Sequence, residues 1–324
     1  MGDLVERFNG LKALVVGDVM IDVYSKGVVE RMSPEAPVPI VNVKARFERL
    51  GGAANVALNL KALGATPVLC SVIGDDDSGV TLLKLMREAG LDTSCFVKSQ
   101  CRMTTVKHRI FDGERQVLRM DEEVTFDLTD EEHQSLWEVI ERTLTKERYD
   151  VIILQDYNKG VLTEKMIQSI ISFAKERGIP VAVDPKKKNF FAYQGVTLFK
   201  PNAKELREGL GVTAETPEEL QAAMRMLQQR IKCEYLMVTL SEKGVMILNN
   251  GVFHHLPAHP RKIMDVSGAG DTVLSVAALC VALHSSPETI AELSNLAGGL
   301  VCEEVGVVPI DKKRLSDEIE RIKP

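Results

Sequence analysis

No stretch of this 324-residue chain approaches the roughly 18 consecutive apolar residues that a membrane-spanning helix needs, and its longest apolar segment, Val273 to Leu283, has the length of a core helix. The first twenty residues carry Asp3, Glu6, Arg7 and Lys12 and lack the apolar stretch of a signal peptide. Positive charge is not in excess: 40 basic against 46 acidic residues leave a net charge of −6, so nucleic acid and anionic membranes are not expected partners. Cys70, Cys95, Cys101, Cys233, Cys280 and Cys302 show no CxxC spacing and read as buried thiols of a reducing compartment. Neither GxxxxGK[ST] nor GxGxxG occurs, which removes the main support for a P-loop NTPase or a dinucleotide dehydrogenase. No G-x-S-x-G elbow supports a hydrolase triad. His254, His255 and His259 do not make a zinc set. The expectation is a cytoplasmic protein.

What is present fits a large globular domain. Hydrophobic residues are 45% and charged residues 27%. Area scaling for this size leaves about 13,000 Å² exposed of about 52,000 Å² unfolded, a core that needs no disulfide or metal. Short apolar runs at 14–16, 68–73, 151–154, 181–183, 196–199, 235–239 and 245–248 read as strands. Helical segments lie between them, at 53–63, 78–89, 163–177 and from Gly268 to about 283. Thr129 with Glu132, and Thr216 with Pro217 and Glu219, start two further helices with caps, and a last helix is expected over about 288–304. The alternation predicts an α/β fold, a doubly wound and mostly parallel sheet in one domain over 1–324. Two β-rich runs around Asp112-Gly113 carry Lys107, Arg109, Arg115 and Arg119 and read as a hairpin with one wet face. Together, about 18–43 and 104–121 are expected to form a small β-rich lid.

The sharpest chemical signal is Asp265-Val266-Ser267-Gly268-Ala269-Gly270-Asp271-Thr272. Gly268 and Gly270 allow successive backbone N–H groups to turn toward one point at a helix start, a nest for a phosphoryl group. Asp271 either caps that helix or accepts a proton from an attacking hydroxyl. Asp18 and Asp22 flank the exit of the first strand, where such folds place ligands, although strand-end aspartates also form turns.

The octet 265–272, the Gly51-Gly52-Ala53-Ala54-Asn55 helix start and Pro201-Asn202-Ala203-Lys204-Glu205 together resemble the ribokinase-like (PfkB) carbohydrate kinases, in an order that covers about residues 11–310. The segments 31–39, 104–107, 118–121, Asp156-Tyr157-Asn158-Lys159-Gly160 and Asp184-Pro185-Lys186 resemble its bacterial heptose 7-phosphate kinases, the first domain of bifunctional ADP-heptose synthases. Ser267 stands where threonine is common, and Lys187-Lys188-Asn189 replaces an expected glycine-containing stretch. The resemblance implies a ribokinase-like fold and ATP-dependent phosphorylation of D-glycero-D-manno-heptose 7-phosphate at O1, in the synthesis of ADP-heptose and the lipopolysaccharide core. It further implies Mg²⁺, leaves a monovalent cation such as K⁺ open, and points to a homodimer. No HxGH motif of a nucleotidylyltransferase is found, so a separate phosphatase and nucleotidylyltransferase are expected, unless the chain is one domain of a bifunctional enzyme.

By the same resemblance Asp271 is the base and Gly268, Ala269 and Gly270 hold the phosphoryl group. Asp18, Asp22, Gly51, Gly52, Asn55 and Asp184 then line the sugar. The acceptor's own phosphate requires a basic group remote from Asp271. Lys107, Arg109, Arg119, Lys159 and Lys186 are candidates, with Lys159 and Lys186 ahead because each follows a short buried strand. Asn202 and Glu205 are expected to orient Mg²⁺ through water, or to form a capping box, or both. Thr239, Ser241 and Gly244 are expected beside the nucleotide; Asn295 faces adenine or is a helix-surface residue. The alternatives are another sugar or nucleoside kinase of this type, or a non-catalytic ligand-binding protein of the same fold.

Overall fold

The computed structural model describes residues 2–322. Strands β1 (Lys12–Gly17), β2 (Val19–Met32), β3 (Pro39–Gly52), β4 (Thr66–Gly74), β5 (Phe96–Ser99), β6 (Thr105–Asp112) and β7 (Arg115–Glu122) occupy the first third of the chain. They are followed by β8 (Val151–Gln155), β9 (Val181–Asp184), β10 (Leu198–Phe199), β11 (Tyr235–Thr239), β12 (Val245–Asn249) and β13 (Val252–Leu256). The helices are α1 (Gly2–Glu6), α2 (Ala53–Ala62), α3 (Asp77–Glu88), α4 (Asp130–Lys146), α5 (Glu164–Arg177), α6 (Ala203–Leu210), α7 (Pro217–Ile231), α8 (Ala269–Ala282), α9 (Pro287–Val301) and α10 (Lys312–Ile322).

Nine strands form the main sheet in the order β13-β12-β11-β10-β9-β8-β1-β4-β5. It is parallel from β11 to β5, and only β12 and β13 run antiparallel. Along β1, Ala13 and Val15 face one hydrophobic layer while Leu14 and Val16 face the other; Val151 and Ile153 against Ile152 and Leu154 repeat this on β8. A strand covered on both faces reads as a continuous apolar run, which is why these were visible in the sequence. The strand order reverses at the β1–β8 pair, so a crevice opens beyond their carboxyl ends.

The second sheet, β3-β2-β6-β7, is the lid. Its second strand runs on to Gly52, so the lid spans 19–52 and 105–122, more than the expected 18–43 and 104–121. The first half of β2 is buried on both faces and its far end is exposed, so no two-residue alternation marks it. Four elements lie outside the expected set: α1, β5, β13 and α10, the last of which makes α9 the penultimate helix. Five cysteines are buried, but Cys101 is exposed. Total exposed area is 14909 Å², somewhat above expectation, as a lid sheet with one uncovered face requires.

Candidate active site

Helix α8 is buried along nearly its whole length between α2 and α9, so its polar side chains need partners inside the protein. Asp271, in its first turn, is 2% exposed. Its Oδ2 accepts from Asn55 Nδ2 at 2.8 Å; its Oδ1 accepts from the Tyr157 hydroxyl at 2.8 Å and from Gln155 Nε2 at 3.3 Å. Burial pushes its carboxyl up to about 6, against the hydrogen bonds from Asn55 and Tyr157. A carboxylate that titrates near neutrality and keeps one acceptor position open is equipped to take a proton.

Gly268 precedes α8 with φ +81°, and a Cβ there would lie 2.9 Å from Asn55 Nδ2 and 3.2 Å from Val307 Cγ1. Gly270 differs from the expectation. It has no positive φ, and its Cβ would meet only Asp184 Oδ2 at 3.8 Å and Lys200 Nζ at 3.9 Å. Gly268→Ala should therefore lose about 1–2 kcal/mol through the left-handed backbone alone and disturb Asn55. Gly270→Ala should melt like the wild type yet turn over poorly, because the added methyl narrows the space beside the amides. Thermal melts with turnover assays separate the two; a fully active Gly270→Ala would remove the close phosphoryl approach.

The carboxyl ends of β8, β9 and β10 supply the rest. Asp184 ends β9 and meets Lys200 Nζ at 2.9 Å and Lys186 Nζ at 3.5 Å. Burial opposes its charge, but the two lysines outweigh it and lower its titration. Lys186 also binds Glu205, and these carboxylates raise it despite burial. Lys186 therefore sits on the Asp271 side, not at the remote end of the pocket where the sequence placed it. Asn202 and Glu205 form a complete capping box on α6, with both reciprocal bonds at 2.8 Å. Glu205 thus spends one oxygen on Asn202 N–H and the other on Lys186. Among the described residues no group of three or more His, Cys, Asp or Glu is placed to hold a metal. The donor set fits a hydrated cation held by phosphates better than a bare ion. Thr239 adjoins Asn202 through a parallel bridge, and Ser241 begins the turn after β11. Gly244 serves packing, since a Cβ would lie 2.0 Å from the Leu256 carbonyl oxygen. Asn295 Nδ2 donates to the Pro257 carbonyl at 2.9 Å, tying α9 to the segment before the glycine turn.

A second group lies on the lid. Asp22, Lys107 and Asp121 share one row across β2, β6 and β7. Asp22 binds Arg109, and Gly51 leaves room for its carboxylate, since a Cβ there would fall 2.2 Å from Oδ2. A Cβ at Gly52 would likewise fall 2.4 Å from the Asp18 carbonyl oxygen. Lys159 Nζ meets Glu123 at 2.7 Å. Lys107 Nζ lies 5.0 Å from the Tyr157 ring centroid, is lowered by burial, and has no carboxylate within 4.0 Å among the described residues. Asp18 is turned away from this group: its carboxylate accepts the backbone N–H groups of Tyr157, Lys159 and Val161 at 2.8 to 3.1 Å and so fixes the loop after β8. Arg119 pairs with Asp121 on the exposed outer strand, 52% exposed. Gln155, Tyr157 and Lys200 belong to the site but were not singled out from sequence.

The sequence matches the description "pfkB family carbohydrate kinase" over residues 11–313. The chain belongs to the pfkB family of carbohydrate kinases. It is 44% identical over 308 residues to "Bifunctional protein HldE" of Methylobacillus flagellatus, covering 95% of this chain and 63% of that protein. It spans less than two thirds of the length of the curated relatives it matches. Among solved structures, phosphofructokinase-2 of Escherichia coli in complex with potassium superposes with a TM-score of 0.79 at 19% identity, over 97% of this chain and all of that one. Arabidopsis thaliana ribokinase complexed with ribose and ATP gives 0.74 at 17%, over 95% and 99%. This pfkB chain is thus a kinase with a ribokinase-like fold.

Proposed function

We propose that this kinase transfers the γ-phosphoryl group of ATP to O1 of a heptose 7-phosphate. The observation that carries the acceptor assignment is Lys107, a part-buried cation over the ring of Tyr157 and near Lys159, with Asp22 and Asp121 in its row but no carboxylate within 4.0 Å among the described residues. Such a cation is stabilised by an anionic ligand. The HldE-named relatives and the motif resemblance support the heptose. In this reading Asp271 takes the proton of the anomeric hydroxyl, and the amides at 268–271 face the transferring oxygens. Asp22 and Asn55 line the sugar. Glu205, at the acceptor positions that Asn202 and Lys186 leave on its oxygens, would hold the waters of a Mg²⁺ carried by the phosphates of ATP, and that ion would offset the charge of the leaving phosphates. A monovalent cation such as K⁺ belongs to the same reading on the strength of the potassium-bound fold neighbour. The test is ADP release with a panel of acceptors: heptose 7-phosphate should exceed unphosphorylated heptose, ribose and fructose 6-phosphate by at least about tenfold in kcat/KM. A preference for an unphosphorylated sugar would favour another kinase of this family.

The reading includes a homodimer through the lid. Val43, Leu118 and Met120 are 44–51% exposed on one face of this sheet, an apolar area that association would cover. Sedimentation at micromolar concentration should give a dimer, and Leu118→Glu with Met120→Glu a monomer. A wild-type monomer would contradict it.

A further inference from the structure

Tyr157 lies in the 156–160 motif, and so far it has served only as a neighbour of Asp271. A carboxylate offers two acceptor positions on each oxygen. On Asp271, Oδ1 receives both Tyr157 and Gln155, whereas Oδ2 receives only Asn55. The tyrosine ring is itself held: Lys107 Nζ lies 5.0 Å and Lys186 Nζ 5.4 Å from its centroid. One lysine comes from the lid and the other from the loop after β9, so the hydroxyl has little freedom to leave Oδ1.

We propose that Tyr157 is a positioning residue for phosphoryl transfer: with Gln155 it occupies Oδ1 of Asp271 and leaves Oδ2 as the atom that takes the acceptor proton. This rests on Asp271 being the base. The phenol stays protonated, because burial and then the charges of Asp271 and Asp184 hold it well above its ordinary value. It therefore donates throughout the working range. The other groups facing Asp271 are Asn55 from α2, Gln155 from β8, Asp184 from β9, Lys186 from the loop after β9 and Lys200 after β10. Burial and Asp184 oppose ionisation of Asp271, while Asn55, Tyr157 and Lys200 favour it. Removing the hydroxyl takes away one favourable partner and leaves the opposing ones in place, so the carboxyl must titrate higher.

Tyr157→Phe keeps the ring and its two cations and deletes only the hydroxyl. Two measurements apply to the full chain and this variant at fixed ionic strength: the pH dependence of kcat/KM under saturating MgATP, and ¹³C NMR titration of carboxyl-labelled aspartate, assigned with Asp271→Asn. Both the acid limb and the carboxyl titration should move up by about one pH unit, so that activity falls about fivefold at pH 6, approaches a tenfold loss below pH 5, and changes little at pH 8.5. Gln155→Met removes the longer bond to the same oxygen and should shift both in the same direction by less, which keeps the test open if Tyr157→Phe does not fold. A uniform loss of activity with neither limb nor titration moved would overturn the proposal and leave Tyr157 a packing residue. Full turnover by Asp271→Asn would overturn the base assignment instead, and the carboxyl titration tells the two failures apart.

Discussion

Asp271→Asn is expected to lower kcat by at least about 100-fold while the protein still folds and binds MgATP. Asparagine has the same shape, and its amide oxygen can replace Oδ1 in accepting from Tyr157 and Gln155. Its NH₂ then faces Asn55 Nδ2, donor against donor. Asn55 can turn its own amide only by disturbing its contact with Asn59. That mismatch costs stability. Loss of a buried carboxylate whose titration is pushed up to about 6 works the other way above that pH. The melting temperature at pH 8 should consequently change little. The same carboxylate sets the acid limb of the wild type: the base must be ionised, so kcat/KM should fall as the pH drops through about 6. Near-wild-type turnover in the folded variant would remove Asp271 as the proton acceptor.

The lysines provide the second large effect, and the structure divides them. Lys107 and Lys159 stand on the lid side of Tyr157, and Lys186 stands among Asp184, Glu205 and Asp271. Methionine keeps much of the aliphatic bulk and removes the ammonium. A charge-assisted bond of about 1.5–3 kcal/mol to the 7-phosphate predicts a loss of roughly 10- to 150-fold in kcat/KM for Lys107→Met with heptose 7-phosphate. The unphosphorylated heptose never uses that contact and should lose far less. Lys159→Met should behave alike, with an added cost because Glu123 loses its cation. Lys186→Met should depress both acceptors equally, since its charge acts beside the reacting centre. Ionic strength must be held fixed, because screening alters long-range attraction too. Equal losses for Lys107→Met on both acceptors would place that lysine on the nucleotide side and remove the reason for a phosphorylated acceptor.

Much of the fold was legible because doubly covered strands carry unbroken apolar runs and helix starts carry caps. β1, β8 and β9 are of the first kind; Thr129 with Glu132 and Thr216 with Glu219 form complete capping boxes. β2 fell within the expected lid segment but was not delimited as a strand, because it changes environment midway, buried on both faces and then exposed. Helix α10 escaped for a different reason: its charged sequence buries only a narrow stripe that includes Leu315 and Ile319. In the site, Asp271 and Asn55 were found through local motifs, and the structure joins them across 216 positions at 2.8 Å. Gln155 and Lys200 have no motif. Yet each ends or follows a short apolar strand, and the strand-end rule that singled out Asp18 applies to them equally. Lys186 was misplaced because a charge next to a strand end says nothing about which neighbouring loop supplies its counter-charge. Here the counter-charge is Glu205, in the first turn of helix α6.

Transfer of the phosphoryl group to O1 can be followed by ³¹P NMR of the reaction of ATP with heptose 7-phosphate. A new phosphate resonance coupled to the anomeric proton should form in step with ADP and be absent with Asp271→Asn. A product phosphorylated at any other hydroxyl, or ADP formed with no new sugar phosphate, would contradict it.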